Sequence, residues 1–522
     1  MTQSPFPAGA PRKSYLGLVL AIVIGSLILA TIGTGIWAFR KMDGPRPAAP
    51  TSAPEDMPKT DPKLAQFYDQ TLAWEPCGNG NECTELTVPL DYAKPEGRTI
   101  TLSVLKVPGD DPIGSLVVNP GGPGGSGVQY AAAGEGVWTP DLLASYDIVG
   151  FDPRGVGEST PLKCWSTEQA DAMIASDPDP DTPAERQEMD RMLRDFGQGC
   201  LDKSGDLARH MSTVEVAKDL DVLRQALGHA KLDYFGASYG TLIGATYADL
   251  FPTHVGRMVL DGAVDPALSN SDLALQQAAA FEVALRAYLK NCVKGGDCVL
   301  GNTVDSAAAK LRSFLDEVEA QPLPTKSGRE LQVGNATLGI WLPLYVKDYW
   351  PMLSSALEQA ILKKDGTRLL SLSDMYVSRG PKKYDDNSME ALYAVNCLDH
   401  SDSIPTKQVP EHYAEFEKAS PTFGRAFAYS LSTCSAWPVK SGQVTKAMAA
   451  EGAPPIVVIG TTRDPATPLA WAEALAGQLS SGVLITRDGD GHTGFNQGNE
   501  CVDDAVHHYL LEGKSPKDGL TC

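Results

Sequence analysis

The sequence predicts an α/β protein, a mostly parallel, doubly wound sheet interrupted by an inserted helical cap. Three observations predict it. Short, nearly continuous apolar runs occur at Ser115–Val118, Asp147–Phe151, Tyr234–Phe235 and Arg257–Leu260, as expected of strands buried on both faces. Helical patterns lie between them: after a candidate N-cap at Thr213, residues Val214, Ala217, Leu220, Leu223 and Leu227 recur at helical spacing until Gly228. Alternation of this kind implies a parallel sheet with crossover helices. From about Pro266 to Lys440 strand signals become scarce, and helical stretches such as Leu273–Leu289 and Val304–Ala320 dominate.

Along the chain, Tyr15–Phe39 is apolar and uncharged, flanked by Arg12 and Lys13 before it and Arg40 and Lys41 after. Its length suits a helix crossing the roughly 30 Å hydrocarbon core of a bilayer, and it exceeds the apolar stretch of an ordinary signal peptide. The expectation is an uncleaved anchor over residues 1–42. Asp43–Pro62, rich in Pro, Ala, Ser and Thr, reads as an extended spacer. The body opens with strand-like Glu85–Pro89 and Thr99–Val107. It continues through the apolar runs to a first part of the sheet domain over 63–265, followed by the cap over 266–445. Strand signals return at Ile456–Ile459 and Val483–Thr486, and Asp503–Leu511 closes as a helix, giving a second part over 446–522.

Charge and cysteine usage narrow the function classes. With 44 basic and 65 acidic residues the net charge is −21, which repels nucleic acid and anionic lipid, so neither is an expected partner beyond the N-terminal helix. All ten cysteines fall after the spacer, without CxxC pairs, which points to disulfides in an oxidising compartment and places the body outside the cell. Sequential pairing is expected, because Cys77 with Cys83 and Cys292 with Cys298 close short loops and Cys501 with Cys522 staples the terminus.

Gly236-Ala-Ser-Tyr-Gly240 is the only G-x-S-x-G in the chain. It follows the apolar run Leu232–Phe235 and precedes the helical Thr241–Leu250, the strand-turn-helix setting in which a sharp turn lifts a serine hydroxyl clear of a sheet. Ser238 is thus a candidate nucleophile in an α/β-hydrolase fold. A hydroxyl needs a base at neutral pH. Of the eight histidines, His229 and His254 precede strands, His507 and His508 lie in the last helix, and His210 precedes a helix cap. His400 and His412 belong to the cap. His492 lies beyond the strand Val483–Thr486, in the glycine-rich Asp488-Gly-Asp-Gly-His492, at the strand edge where α/β sites sit. It is also last in the order serine, acid, histidine.

The base needs a carboxylate to set its tautomer. Asp464 follows the strand Ile456–Ile459, 28 residues before His492; Asp261, directly after Arg257–Leu260, is the alternative, and the loser braces a loop. The oxyanion needs donors: the glycine-rich Asn119–Gly127 after Ser115–Val118 offers the amide of Gly121 or Gly122, and Tyr239 follows the nucleophile. No Gly-Lys-Ser or Gly-Lys-Thr makes that loop a phosphate cradle, no H-E-x-x-H supports a metal site, and no cofactor is expected.

These motifs resemble those of the secreted bacterial tripeptidyl-aminopeptidases, relatives of the proline iminopeptidases, over Ala65 to Cys522. The resemblance rests on Asn119-Pro-Gly-Gly-Pro-Gly124, Gly150-Phe-Asp-Pro-Arg-Gly-Val-Gly157, Gly236-Ala-Ser-Tyr-Gly-Thr241, Leu260-Asp-Gly-Ala-Val-Asp265, Asp464-Pro-Ala-Thr-Pro468 and Gly491-His-Thr-Gly494. Proline iminopeptidases carry a histidine where Pro120 stands, so the tripeptidyl branch fits better. The resemblance implies a triad of Ser238, Asp464 and His492, a cap over the cleft, and release of short peptides from peptide or protein substrates with free N-termini. It also implies that Thr467 positions Asp464, that Asp399 binds the substrate ammonium, and that Asp152 and Arg154 are structural. An esterase or lipase using the same triad on envelope lipids, and a noncatalytic binding protein, are the competing readings.

Overall fold

The computed structural model describes residues 62–400, 402–439 and 446–522. Among the described residues ten strands form one sheet: β1 (Glu75–Gly78), β2 (Asn81–Pro89), β3 (Thr99–Val107), β4 (Ser115–Asn119), β5 (Asp147–Phe151), β6 (Leu232–Ala237), β7 (Val255–Asp261), β8 (Ile456–Arg463), β9 (Gly482–Asp490) and β10 (Leu520–Thr521). Their order is β1-β2-β3-β5-β4-β6-β7-β8-β9-β10. The first three strands pair antiparallel, as does β3 with β5, and from β5 onward every neighbour is parallel. The central strands are apolar on both faces because helices cover both: Val117 and Tyr234 pack into one core, Leu116, Val118 and Phe235 into another. The expected α/β-hydrolase fold is the one observed.

Local chemistry explains most boundaries. The helix Thr213–Ala226 is capped one residue earlier than the spacing suggests, by Ser212 in a capping box with Glu215, and Thr213 becomes its first residue. β9 runs on through Asp488-Gly-Asp490, which reads as a loop in the sequence, because Arg463 at the end of β8 still pairs with Asp490.

Between β7 and β8 the chain leaves the sheet for a series of helices that begins with Asn270–Gly295, Val304–Ala320, Val333–Tyr345 and Trp350–Lys363. Their apolar faces form a core of their own, joined by Met189 and Leu193 from the earlier helix Pro183–Ser204. In return Ala391, Ala394, Val395 and Leu398 of the helix Ser388–Asp399 pack into the sheet's core. Cap and sheet therefore share hydrophobic surface in both directions.

All ten cysteines pair sequentially: Cys77–Cys83, Cys164–Cys200, Cys292–Cys298, Cys397–Cys434 and Cys501–Cys522. Five disulfides mark a protein matured outside the reducing cytoplasm. The transmembrane assignment, by contrast, is corrected: no helix among the described residues is long and apolar enough to cross a membrane. The most apolar cap helix, Val333–Tyr345, has 13 residues against the roughly 20 a span requires, and the longer Asn270–Gly295 carries charges along its length. The segment Tyr15–Phe39, on which that assignment rested, and the spacer up to residue 61 lie outside the described residues.

Candidate active site

Five loops converge at the carboxyl edge of the sheet, following β4, β6, β7, β8 and β9, the edge where a parallel sheet opens a crevice. Ser238 sits between β6 and the helix Tyr239–Leu250 with φ +55° and ψ −127°, a conformation that L-residues rarely occupy. Its amide donates to the Asp261 carbonyl at 2.8 Å and its carbonyl accepts from the Thr241 hydroxyl at 2.6 Å, so the strained turn is held from both sides. The flanking glycines are a steric requirement: a Cβ on Gly236 would lie 2.4 Å from the Gly240 carbonyl oxygen, and one on Gly240 would lie 2.6 Å from that of Asn119.

Asp464, in the loop after β8, is buried and heavily engaged. One oxygen accepts from the amides of Ala466 and Thr467 at 2.9 Å each; the other accepts from the Thr467 hydroxyl and the Thr493 amide at 3.1 Å each. Both face Nδ1 of His492, at 2.9 and 2.8 Å. Such a carboxylate cannot rotate without breaking several bonds, so it anchors the ring at Nδ1 and places the proton there. Nε2 is then the acceptor nitrogen; it is buried and has no hydrogen-bond partner among the described residues. Ser238 and His492 line one cavity of about 560 Å³. Both abut the turn at Asp261-Gly262: the Ser238 amide bonds the Asp261 carbonyl, and a Cβ on Gly262 would lie 3.2 Å from Cε1 of His492.

Asp261 takes the other role foreseen for it. Its oxygens accept from the amides of Gly494 and Phe495 at 2.8 and 2.9 Å, bracing the loop just beyond His492, and burial pushes its carboxyl up to about 7.

Of the two glycines offered as oxyanion donors, the structure separates one from the other. The amide of Gly121 is already bound to Asn119 Oδ1 at 2.9 Å, which removes it as a donor to substrate. Gly121 instead sets the spacing of the loop, since a Cβ there would lie 2.6 Å from the Tyr239 nitrogen at a φ of +88°. The amides of Gly122 and Tyr239 remain as candidates for the donor pair. Gly121→Ala is expected to push this loop off the Ser238 turn and lower kcat about a hundredfold, the scale of losing one oxyanion donor, with a smaller change in KM. Steady-state kinetics on any turned-over ester or peptide measures both.

Asp399 also lines the cavity, at the last residue of the helix Ser388–Asp399. Thr213 holds it, through the amide at 2.9 Å and the hydroxyl at 2.5 Å, and the Tyr239 hydroxyl bonds that same threonine oxygen. Burial raises the Asp399 carboxyl to about 6. Asp152 and Arg154 stand apart from the chemistry. Asp152 accepts from the Ser126 hydroxyl and the Val128 and Glu158 amides, tying the end of the glycine-rich loop to β5. Arg154 is fully buried against Asp219. The carboxylate groups close enough to share a cation among the described residues, Asp177-Asp179-Glu319 and Asp181-Glu185-Glu319, contain none of the cavity's lining residues.

Thr213, read in the sequence only as a helix cap, and Tyr345 of the cap, whose ring lies 5.4 Å from the imidazole of His492, carry no motif that places them at the site. Only the fold brings them to the site.

The chain is similar to the serine protease Hip1 of Mycobacterium tuberculosis, 36% identical over 485 residues, covering 88% of this chain and 92% of that protein. It is similar to the tripeptidyl aminopeptidase of Streptomyces lividans, 32% identical, with 86% of each chain covered. The chain belongs to this tripeptidyl-aminopeptidase-like family of serine hydrolases. The TAP-like protein family model matches residues 420–522, the stretch that carries Asp464 and His492. A carboxylesterase B of Mycobacterium tuberculosis is similar at 36% identity over 98% of both chains, so the family includes members named for ester as well as peptide hydrolysis. Among solved structures, a Thermogutta terrifontis esterase aligns with a TM-score of 0.37 at 12% identity, covering 82% of this chain and 98% of that one.

Proposed function

We propose that this protein is a serine exopeptidase that releases short peptides, tripeptides in particular, from free N-termini through an acyl-enzyme. The observation that carries this reading is a single cavity lined by Ser238, by a His492 already oriented by Asp464, and by Asp399. In this mechanism Ser238 Oγ attacks the scissile carbonyl while His492 Nε2 takes its proton. The new C–O bond leaves a tetrahedral oxyanion that accepts from the amides of Gly122 and Tyr239. His492 then gives its proton to the departing amine, the C–N bond breaks, and water repeats the sequence on the ester to free the short peptide. Asp464, with Thr467, keeps the imidazole in one tautomer and stabilises the imidazolium.

Asp399 would bind the substrate ammonium. Burial disfavours the charged carboxylate even though the Thr213 amide and hydroxyl bond it, and an ammonium ligand would offset that cost. The sign of the pH dependence follows: the carboxyl is neutral below about 6 and charged above it. KM for a free-amine peptide is therefore expected to rise as pH falls through that value, while KM for a simple ester without an amine shows no such limb. A mixed peptide library, free or acetylated and read by mass spectrometry, tests the reading. Three-residue products from free N-termini alone support it; equal cleavage of acetylated peptides overturns it.

The second reading, an esterase on the same triad, is favoured by the apolar side of the cavity, where Phe281, Trp341 and Phe427 lie together, and by the esterase-named relative. Faster turnover of long acyl esters with no peptide cleavage would establish it in place of the first.

A further inference from the structure

The cap does more than cover the cleft. Its helix Val333–Tyr345 ends at Tyr345 with Pro343 in the last turn, and the carbonyls of a last turn have no partner within their own helix. The carbonyl of Tyr345 finds one across the cleft: it accepts the backbone amide of His492 at 2.8 Å. The Tyr345 ring stands edge to face with the imidazole, centroids 5.4 Å apart at 89°. That ring is itself held by Phe281, at 5.8 Å, and by Tyr376, whose hydroxyl lies 3.4 Å from that of Tyr345. The preceding residue of the histidine loop fits only as glycine, since a Cβ on Gly491 would lie 2.8 Å from the Tyr345 oxygen at a φ of +96°.

Two residues further into the cap, Lys347 Nζ reaches Asp490 at 2.7 Å, and Asp490 also accepts from Nε of Arg463 at 2.5 Å. Arg463 directly precedes Asp464, and Asp490 stands two residues before His492. The cap thus grips the histidine loop through a backbone bond, a ring contact and an ion cluster that also touches the acid's loop.

We propose that Tyr345 is a positioning residue for the catalytic base, so that the seated cap completes the Ser238–His492–Asp464 machinery. The proposal rests on the triad reading given above. Asp464 restrains the imidazole only at Nδ1, about which the ring can still tilt; the Tyr345 ring limits that tilt from the cap side, and its carbonyl sets the height of the loop. A misplacement of about 1 Å at such a group is enough to cost on the order of a hundredfold in rate. The Lys347–Asp490 pair adds less, because Lys347 is solvent-exposed and the pair is screened.

The test uses the full chain and a small fluorophosphonate that reacts at Ser238 without extending to the cap's aromatic wall. Tyr345→Leu is expected to slow labelling about tenfold to a hundredfold and to lower kcat on peptide in parallel, with KM little changed. Tyr345→Phe, which keeps the ring, should restore both rates to within about threefold of wild type. Tyr345→Met preserves bulk without the ring and serves if the leucine variant does not fold; urea unfolding establishes that each variant is native.

In a His492→Ala background the Tyr345→Leu effect should vanish, because the two residues act as a unit. Wild-type labelling by Tyr345→Leu together with slowed peptide turnover would mean that the ring touches substrate only, and the proposal falls. Additivity with His492→Ala overturns it equally. If His492→Ala itself labels as fast as wild type, the triad reading is what has failed, and the two failures are told apart.

Discussion

Ser238→Ala and His492→Ala are each expected to reduce turnover about 10⁶-fold, and the double variant to be no worse than either alone, because nucleophile and base work as one unit. Ser238 occupies its strained conformation whatever its side chain, since the amide bond to Asp261 and the neighbouring glycines hold the turn, so the alanine variant should fold normally. Asp464→Asn is expected to cost about 10⁴-fold for a different reason. One carboxylate oxygen receives the Ala466 and Thr467 amides and the other the Thr467 hydroxyl and the Thr493 amide. An amide NH₂ at either position meets a donor, and Nδ1 of His492 would have to become an acceptor to satisfy it. That reverses the tautomer and leaves Nε2 carrying a proton when it should receive one. Initial rates with burst analysis, together with fluorophosphonate labelling, measure all of these. A Ser238→Ala enzyme with more than a thousandth of wild-type activity, once contamination is excluded, would remove the serine mechanism.

Arg154→Met should produce the largest loss of stability among the buried polar positions. The guanidinium is fully buried and spends its donors completely: Nε and Nη2 on the two oxygens of Asp219 at 2.7 Å each, Nη1 on the carbonyls of Leu90 and His210 at 2.9 and 3.0 Å, and Nη2 also on Pro89 at 3.1 Å. Removing it strands those carbonyls and leaves Asp219 buried with the Tyr92 hydroxyl as its remaining short donor. Breaking one side of a buried pair costs about 3–5 kcal/mol, read as a lowered urea midpoint at unchanged slope. Arg154→Met with Asp219→Asn should recover part of that loss, since no charge is then left unpaired. A cost under about 1 kcal/mol for the single change would show that water or a neighbour reaches the carboxylate.

Much of this candidate site is legible in the chain because each proposed catalytic group is announced by its own neighbours. Ser238 stands in a glycine-flanked turn between a strand and a helix, and Asp464 and His492 stand just past strands, at the one edge of a parallel sheet where a cleft forms. Those signals are local, so a few adjacent residues carry them. The strand limits are less legible: Asp488-Gly-Asp490 has loop composition yet belongs to β9, because pairing with β8 outweighs intrinsic preference. The capping of Thr213–Ala226 by Ser212 turns on which of two adjacent hydroxyls points back at Glu215, a matter of backbone angles.

By itself, then, the sequence determined the fold class, the sequential disulfides, the family and the placement of Ser238, Asp464 and His492 just past strands of the sheet. Tertiary structure alone decided that Gly121 spends its amide on Asn119, that Asp261 braces a loop, and that Thr213 holds Asp399 across a separation of 186 residues. It alone seats Tyr345 on His492. The physical reason is the range of the interactions. Turn chemistry and strand-end placement are written in neighbouring residues, whereas a hydrogen bond or ring contact between distant segments depends on where packing sets each backbone, to a fraction of an ångström, and no local pattern encodes that distance.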